Sequence, residues 1–200
     1  MKSSRPIYLL TLFAVCGWGL FSCQNIPEPP PETGLFSLRY APKKSVSNAS
    51  LRGLLLVNDT IGWASGSGGT FLRMVDGENW TADTIAGYTH LDFRDVHAFD
   101  AQTAVVMAAG EEGRILRTED GGQTWVEVYT RLDEGIFLDG MDFQGNVGYC
   151  YGDPINGKFV LIRTEDKGRK WQEMPPENLP DALENEAGFA ASGTGIVLVN

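Results

Sequence analysis

Asp95 and Asp139, Arg52 and Arg94, and His97 are the side chains whose types and spacing could do chemistry in this chain of 200 residues. Glycoside hydrolysis needs two carboxylates about 5–9.5 Å apart, one with a raised pKa. Asp95 and Asp139, which fall in successive repeats, are the best available pair. Charged groups of both signs gathered on one rim would instead make a polar contact site for an extended peptide or a glycan. The competing reading makes all five solvated loop ends. Metal chemistry has little material: two histidines, His90 and His97, and no Cys-x-x-Cys pair leave no zinc site. Glu111-Glu112-Gly113 and Asp153-Pro154-Ile155-Asn156-Gly157 lie at equivalent hairpins and could each meet a calcium ion. Neither has the spacing of a dedicated loop, so solvated turns are expected. Gly66-Ser67-Gly68-Gly69 has no helix after it to receive a pyrophosphate and reads as a turn. No cofactor and no metal is expected.

The elements that must position these residues are β-strands. At 42% hydrophobic and 21% charged the composition is globular. Acidic residues number 26 against 16 Lys and Arg, a net charge of −10. Residues 1–22 hold only Lys2 and Arg5, so without them 14 bases face 26 acids. Such a surface repels phosphate backbones, which argues against nucleic acid as a partner.

Residues 1–5 are short and basic, and an apolar run from Ile7 to Phe21 follows. At about 1.5 Å per residue that run is too short for a ~30 Å hydrocarbon core and reads as a secretion signal. It ends in Leu20-Phe21-Ser22-Cys23, which resembles the bacterial lipobox. The expectation is a signal over residues 1–22, lipid on Cys23, and a proline-rich tether over 23–34. The location would then be the bacterial cell envelope, periplasmic or outer-membrane, with the membrane a partner through the lipid. A plain signal peptide cut elsewhere is the alternative. Cys150, among apolar neighbours, reads as inert packing.

Internal repetition carries the fold. Phe71-Leu72-Arg73-Met74-Val75-Asp76-Gly77, Ile115-Leu116-Arg117-Thr118-Glu119-Asp120-Gly121 and Leu161-Ile162-Arg163-Thr164-Glu165-Asp166-Lys167 each lead into a tryptophan: Trp80, Trp125 and Trp171. The tryptophans are 45 and 46 residues apart, the length of one four-stranded propeller blade. In the second copy, residues 95–99, 103–109, 114–118 and 124–129 are β-rich runs between turn residues. The expected class is therefore all-β: a β-propeller of four-stranded antiparallel blades over residues 35–200. Its blades fall at about 48–86, 92–131, 136–176 and 186–200, with 35–41 a lone strand. Three blades and the start of a fourth do not close a ring of four to eight, so the expectation is the N-terminal part of a longer propeller, or a truncated product.

Thr118, Asp120, Gly122 and Trp125, and Thr164, Asp166, Gly168 and Trp171, fit the pattern Ser/Thr-x-Asp-x-Gly-x-Thr/Ser-Trp, with Lys170 in place of the second hydroxyl. Asp76 and Trp80 mark a shorter, degenerate copy. An Asp can accept bonds from backbone N–H groups just ahead of it, and Gly supplies the positive φ of a tight hairpin. The pattern resembles the Asp-box, or BNR repeat, of sialidase-like propellers. That resemblance implies turns at the blade periphery, so Asp76, Asp120 and Asp166 are expected to hold the fold rather than to catalyse.

Residues 48–199 also resemble the YCF48/HCF136-like group of BNR propellers. The marks are Val57-Asn58-Asp59-Thr60-Ile61-Gly62-Trp63-Ala64-Ser65-Gly66, the repeated Leu/Ile-Arg-Thr-Glu-Asp, and Gly188-Phe189-Ala190-Ala191-Ser192-Gly193-Thr194. Plant and cyanobacterial members assist photosystem II assembly as non-enzymatic scaffolds, and an arginine-rich face in them would correspond to Arg52 and Arg94. The resemblance implies a protein- or glycan-binding scaffold. The alternative is a sialidase-like or endoglucanase-like hydrolase using Asp95 and Asp139. Aligning the repeats sets Arg52-Gly53-Leu54 against Arg94-Asp95-Val96, with Asp139 near Asp95.

Overall fold

A computed structural model describes residues 44–190 and 193–199. The expected signal, Cys23, the tether and the lone strand at 35–41 lie outside them. Short runs rich in β-branched and aromatic residues, punctuated by glycine turns, give twelve strands among the described residues. They are β1 (Leu51–Leu56), β2 (Gly62–Gly66), β3 (Thr70–Met74), β4 (Trp80–Thr84), β5 (Asp92–Ala98), β6 (Ala104–Ala109), β7 (Gly113–Thr118), β8 (Val126–Arg131), β9 (Leu138–Gln144), β10 (Val147–Ile155), β11 (Lys158–Thr164) and β12 (Gln172–Glu173). They pair antiparallel into three four-stranded sheets in chain order, β1–β4, β5–β8 and β9–β12. Among the described residues the fold is all-β, with three propeller blades. A single 3-10 turn, Pro176–Asn178, follows the third, and no described helix is long and apolar enough to cross a membrane.

Each blade has its first strand innermost: β1 lies against β5 and β5 against β9. Its last strand faces solvent, as the exposed residues of β4 and β8 show. The middle strands are buried on both faces because a blade lies on either side; every residue of β6 is buried. Two apolar layers result. Trp63, Phe71, Val106 and Leu116 meet between blades one and two. Val105, Met107, Ile115, Cys150 and Ile162 meet between blades two and three. Residues 186–190 and 193–199, expected to open a fourth blade, contain no strand. A strand needs a hydrogen-bonded neighbour, and this segment instead lies on the inner strands, with Leu198 N–H donating to Asp142 Oδ2 at 2.7 Å.

The Asp-box turns close the third strand of each blade onto the fourth. Asp120 Oδ1 accepts the Thr118 hydroxyl at 2.8 Å and the Thr124 N–H at 2.9 Å, while Oδ2 accepts the Thr124 hydroxyl at 2.6 Å. In blade three, Asp166 Oδ1 accepts the Thr164 hydroxyl and the Arg169 and Lys170 N–H groups, each at 2.9 Å. Lys170 thus keeps the backbone bond and loses the hydroxyl one. In blade one, Asp76 Oδ1 accepts the Glu78 and Asn79 N–H groups, at 2.9 and 2.7 Å, and Oδ2 the Asn79 side-chain amide at 2.8 Å. These donors hold Asp76 and Asp120 at about 2, below the usual carboxylate value.

The box glycines have a second duty. Gly122 has φ +91°, and a Cβ there would lie 2.5 Å from the Phe71 ring of the preceding blade. Gly168, at φ +76°, would meet Val105 Cγ2 at 2.9 Å in the same way. Each turn is therefore pressed flat against its neighbouring blade where only hydrogen fits. Gly122→Ala should lower stability by about 2–3 kcal/mol, backbone strain and the clash adding, measured by urea unfolding. A loss under about 0.5 kcal/mol, the range of surface substitutions, would show that the turn relaxes freely.

Candidate functional site

The inner strands carry the same irregularity at the same place. In blade one, Leu51 pairs with Gly66 and Gly53 with Ser65, so Arg52 is an extra residue. In blade two, Phe93 pairs with Ala108 and Asp95 with Met107, so Arg94 is extra. In blade three, Leu138 pairs with Gly152 and Gly140 with Tyr151, so Asp139 is extra. A β-bulge re-aims the side chain of its unpaired residue. Arg52, Arg94 and Asp139 are therefore equivalent positions. In this register Asp95 corresponds to Gly53 and Gly140, and Asp139, one place before Gly140, lies near it as the repeats implied.

These bulges gather charge. Asp92 Oδ2 accepts the Arg94 Nε–H at 3.2 Å and lies 3.8 Å from Arg52 Nε, which links blades one and two. Asp92 Oδ1 is buried without a hydrogen-bond partner. The Arg94 guanidinium stands 5.9 Å over the Phe137 ring and donates to the Ala190 carbonyl at 3.4 Å. Beyond it lies Asp139, 2% exposed, with Oδ2 unpartnered. Burial first, and then the Asp153 carboxylate, push Asp139 up to about 7, against a smaller opposing pull from Arg94. Asp153 is itself a bulge residue of β10 and accepts the Gly188 N–H at 2.6 Å. Gly188 lies so close over Asp139 that a Cβ there would collide with its carboxylate.

Two of the five candidate residues sit elsewhere than the rim. Asp95 is 4% exposed and joins the inner strands: Oδ1 accepts its neighbour Val96 N–H and Oδ2 the Met141 N–H of blade three, both at 2.8 Å. Burial outweighs these donors and raises its pKa to about 6. Engaged at both oxygens, Asp95 has none open to a substrate. His97 packs between Phe99 and Phe143, ring centroids 4.8 and 4.4 Å away, and burial lowers its pKa to about 4. It is a neutral ring in the junction of blades two and three; an apolar Phe on either side of the junction takes up what spacing had placed beside the arginines. Cys150 is fully buried against Met107, and burial pushes its thiol well up. Glu111 and Asp153, from the two acidic hairpins, line one hollow with Asp133 and Glu134. Among the described residues no cluster of three or more metal-ligating groups forms.

Spacing did not reveal Asp92, which precedes the bulge, or Trp63 and Arg73. Trp63 is 0% exposed and donates its indole N–H to the Asp100 carbonyl of the next blade at 3.0 Å. The available signals were Arg73's identical place in each repeat and Trp63's place in the Val57–Gly66 segment that carries the resemblance.

Residues 94–185 match the family described as Photosynthesis system II assembly factor YCF48. The solved structure of YCF48 bound to a D1 peptide superposes with a TM-score of 0.52 at 22% identity, covering 68% of this chain and 45% of its own. YCF48 from Cyanidioschyzon merolae superposes with a TM-score of 0.50 at 18% identity, covering 66% of this chain and 42% of its own. The chain thus spans less than half the length of either structure, and likeness at these identities speaks for the fold. No curated protein matches. The family match runs from the bulge residue Arg94 through the third Asp-box, and the three sheets from Leu51 to Glu173 are β-propeller blades whose fold is similar to that of YCF48.

Proposed function

We propose that the chain is a binding and assembly scaffold that holds an extended segment of a partner protein along its inner rim, and that lipid on Cys23 keeps it at the cell envelope. The observation that carries the first part is the bulge repeated in all three inner strands, which presents Arg52 and Arg94 from equivalent points and places Asp139 at the third, buried beneath Gly188. Positions unpaired in the ladder are where a sheet can present recognition groups without losing register. A structure of similar fold has been solved with a D1 peptide, which favours a polypeptide partner over a glycan. The Asp92 carboxylate shared by the two arginines orders both guanidinium groups, so less side-chain entropy is lost when a ligand is bound.

The test is an array of randomised peptides of about ten residues, read with the parent and with an Arg52→Ala/Arg94→Ala variant. A subset should bind the parent and lose about tenfold or more in the variant, each charge-assisted contact contributing ~1.5–3 kcal/mol. Binding indifferent to the double substitution would overturn the rim assignment. For the anchor, Cys23→Ser should move the protein from the membrane to the soluble fraction, since the lipid supplies the membrane affinity. A variant that still sediments with membranes would end that part of the proposal.

A further inference from the structure

Beside the arginines of the rim lies a hollow of about 580 Å³, within the size range of ligand sites. Its walls belong to blades two and three alone. They are the β6–β7 hairpin at Gly110 and Glu111, the connection from β8 to β9, and Asp153 of β10. The connection is held firmly. Ile136 N–H donates to the Asp133 carbonyl at 3.1 Å, and Asp153 N–H to that of Phe137 at 2.8 Å. Ile136 packs so closely on Gly113 that a Cβ there would lie 2.8 Å from its side chain. The hollow therefore stands preformed, and little ordering is left to oppose a ligand.

Two kinds of side chain line it. Leu132, 59% exposed, and the half-buried Phe137 offer apolar surface. Around them stand the carboxylates of Glu111, Asp133, Glu134 and Asp153. The arginines nearest in the chain are engaged: Arg114 with Glu112 and Glu127, Arg131 with Asp133 and Glu173. Glu111 and Glu134 belong to neither set, and both are exposed. Behind Asp153 is Asp139, 2% exposed with Oδ2 unpartnered. The Asp153 carboxylate opposes charge on Asp139 more strongly than Arg94 favours it, so that wall is short of positive charge.

Among the described residues these carboxylates do not converge as metal ligands do. They ring an apolar surface instead, which suits a cation carried on an aliphatic stem: the stem covers Leu132 and Phe137 and the head meets the acids. Phe137 also ties the hollow to the rim, because the Arg94 guanidinium stands 5.9 Å over its ring. An extended chain advances about 3.3 Å per residue and points alternate side chains the same way. Groups two residues apart therefore span that distance.

We propose that the hollow receives a lysine or arginine side chain of the bound polypeptide, which presents a carboxylate to Arg52 and Arg94 from about two residues away. This deepens the reading of the inner rim as a peptide site and rests on it. The partner segment is bipolar, with an acid and a base on one side of an extended chain.

The test uses the full chain in detergent and labelled peptides of about ten residues, read by fluorescence anisotropy. The host is Ser and Thr throughout, with Asp and Lys two residues apart. One control replaces the Lys by Glu. Another moves it to about six residues from the Asp, which keeps the net charge and loses the fit. The Asp-x-Lys peptide should bind about tenfold more tightly than either control. A Glu111→Lys/Glu134→Lys variant should reverse the order of the Lys and Glu peptides, with a melting temperature equal to the parent's. Equal binding of the displaced-Lys peptide, or an order that the variant leaves unchanged, would overturn the proposal. Binding that needs Asp and the two arginines yet ignores Lys would overturn it and leave the rim reading standing. A Lys preference that survives Arg52→Ala/Arg94→Ala undiminished would end the rim reading and the paired acid with it.

Discussion

Trp63→Ala should lower the unfolding free energy by about 3–5 kcal/mol, the range for emptying a fully buried aromatic site. The ring is wholly buried, stacks on Phe71 at 6.1 Å and meets Trp125 edge-on at 6.3 Å. Its loss opens a cavity between blades one and two and leaves the Asp100 carbonyl without its indole donor. Arg73 also loses the ring beneath it. For a chain of this size the melting temperature should fall by roughly 10 °C. Trp125→Ala should cost less, because Trp125 is only half-buried. Urea unfolding of both variants checks the order. If Trp125→Ala costs more, the Asp-box tryptophan and not Trp63 is the centre of that junction.

Asp139→Asn should have the opposite sign: a more stable protein at pH 8, by about 2–4 kcal/mol. Burial raises the Asp139 carboxyl from 3.8 to about 7, and a shift of about three pH units corresponds to at most ~4 kcal/mol. Between those two values the native state keeps a proton that the unfolded chain has released. Stability therefore falls as pH rises from about 4 to about 7 and is level above that. Asp95, raised to about 6, contributes with the same sign over a narrower window. Asp76 and Asp120, held at about 2, act the other way, losing their contribution only as pH falls through about 4 to 2. Urea unfolding at pH 4.5 and pH 8 should show the parent less stable at the higher pH. In the asparagine variant the fall from Asp95 and the opposite rise from His97, whose pKa is lowered from 6.5 to about 4, offset one another and leave it nearly level. A variant less stable than the parent at pH 8 would mean that the charged Asp139 is compensated in solution.

The parts legible in the sequence are those whose bonds are local. Asp120 binds Thr118 and Thr124, and Asp166 binds Thr164 and Lys170, so each Asp-box is complete within a few residues and repeats visibly. Strand positions followed from the same repeat: the run expected at 103–109 is β6, Ala104–Ala109. What stayed hidden depends on distance in the chain. Arg73 meets Ala101, and Arg117 meets Lys167, across 28 and 50 residues. The Asp95 carboxylate finds Met141 across 46, and only that contact shows it to be a fastening between inner strands. His97 looked polar by type, yet Phe143 from the next blade encloses it. The bulges themselves stayed hidden for another reason: a bulge inserts a residue without changing the turns on either side, so counting from the turns cannot reveal it.

The bulges have a consequence for how such a chain can change. Arg52, Arg94 and Asp139 stand outside the ladder that fixes register, and the layers between blades are built from other residues. The same socket already holds a cation in two blades and an acid in the third. A lineage could therefore rewrite its recognition surface by single substitutions at the two open addresses, Arg52 and Arg94, while the apolar layers between the blades stayed as they were. The third, Asp139, would join them only where the segment at Gly188 was drawn aside.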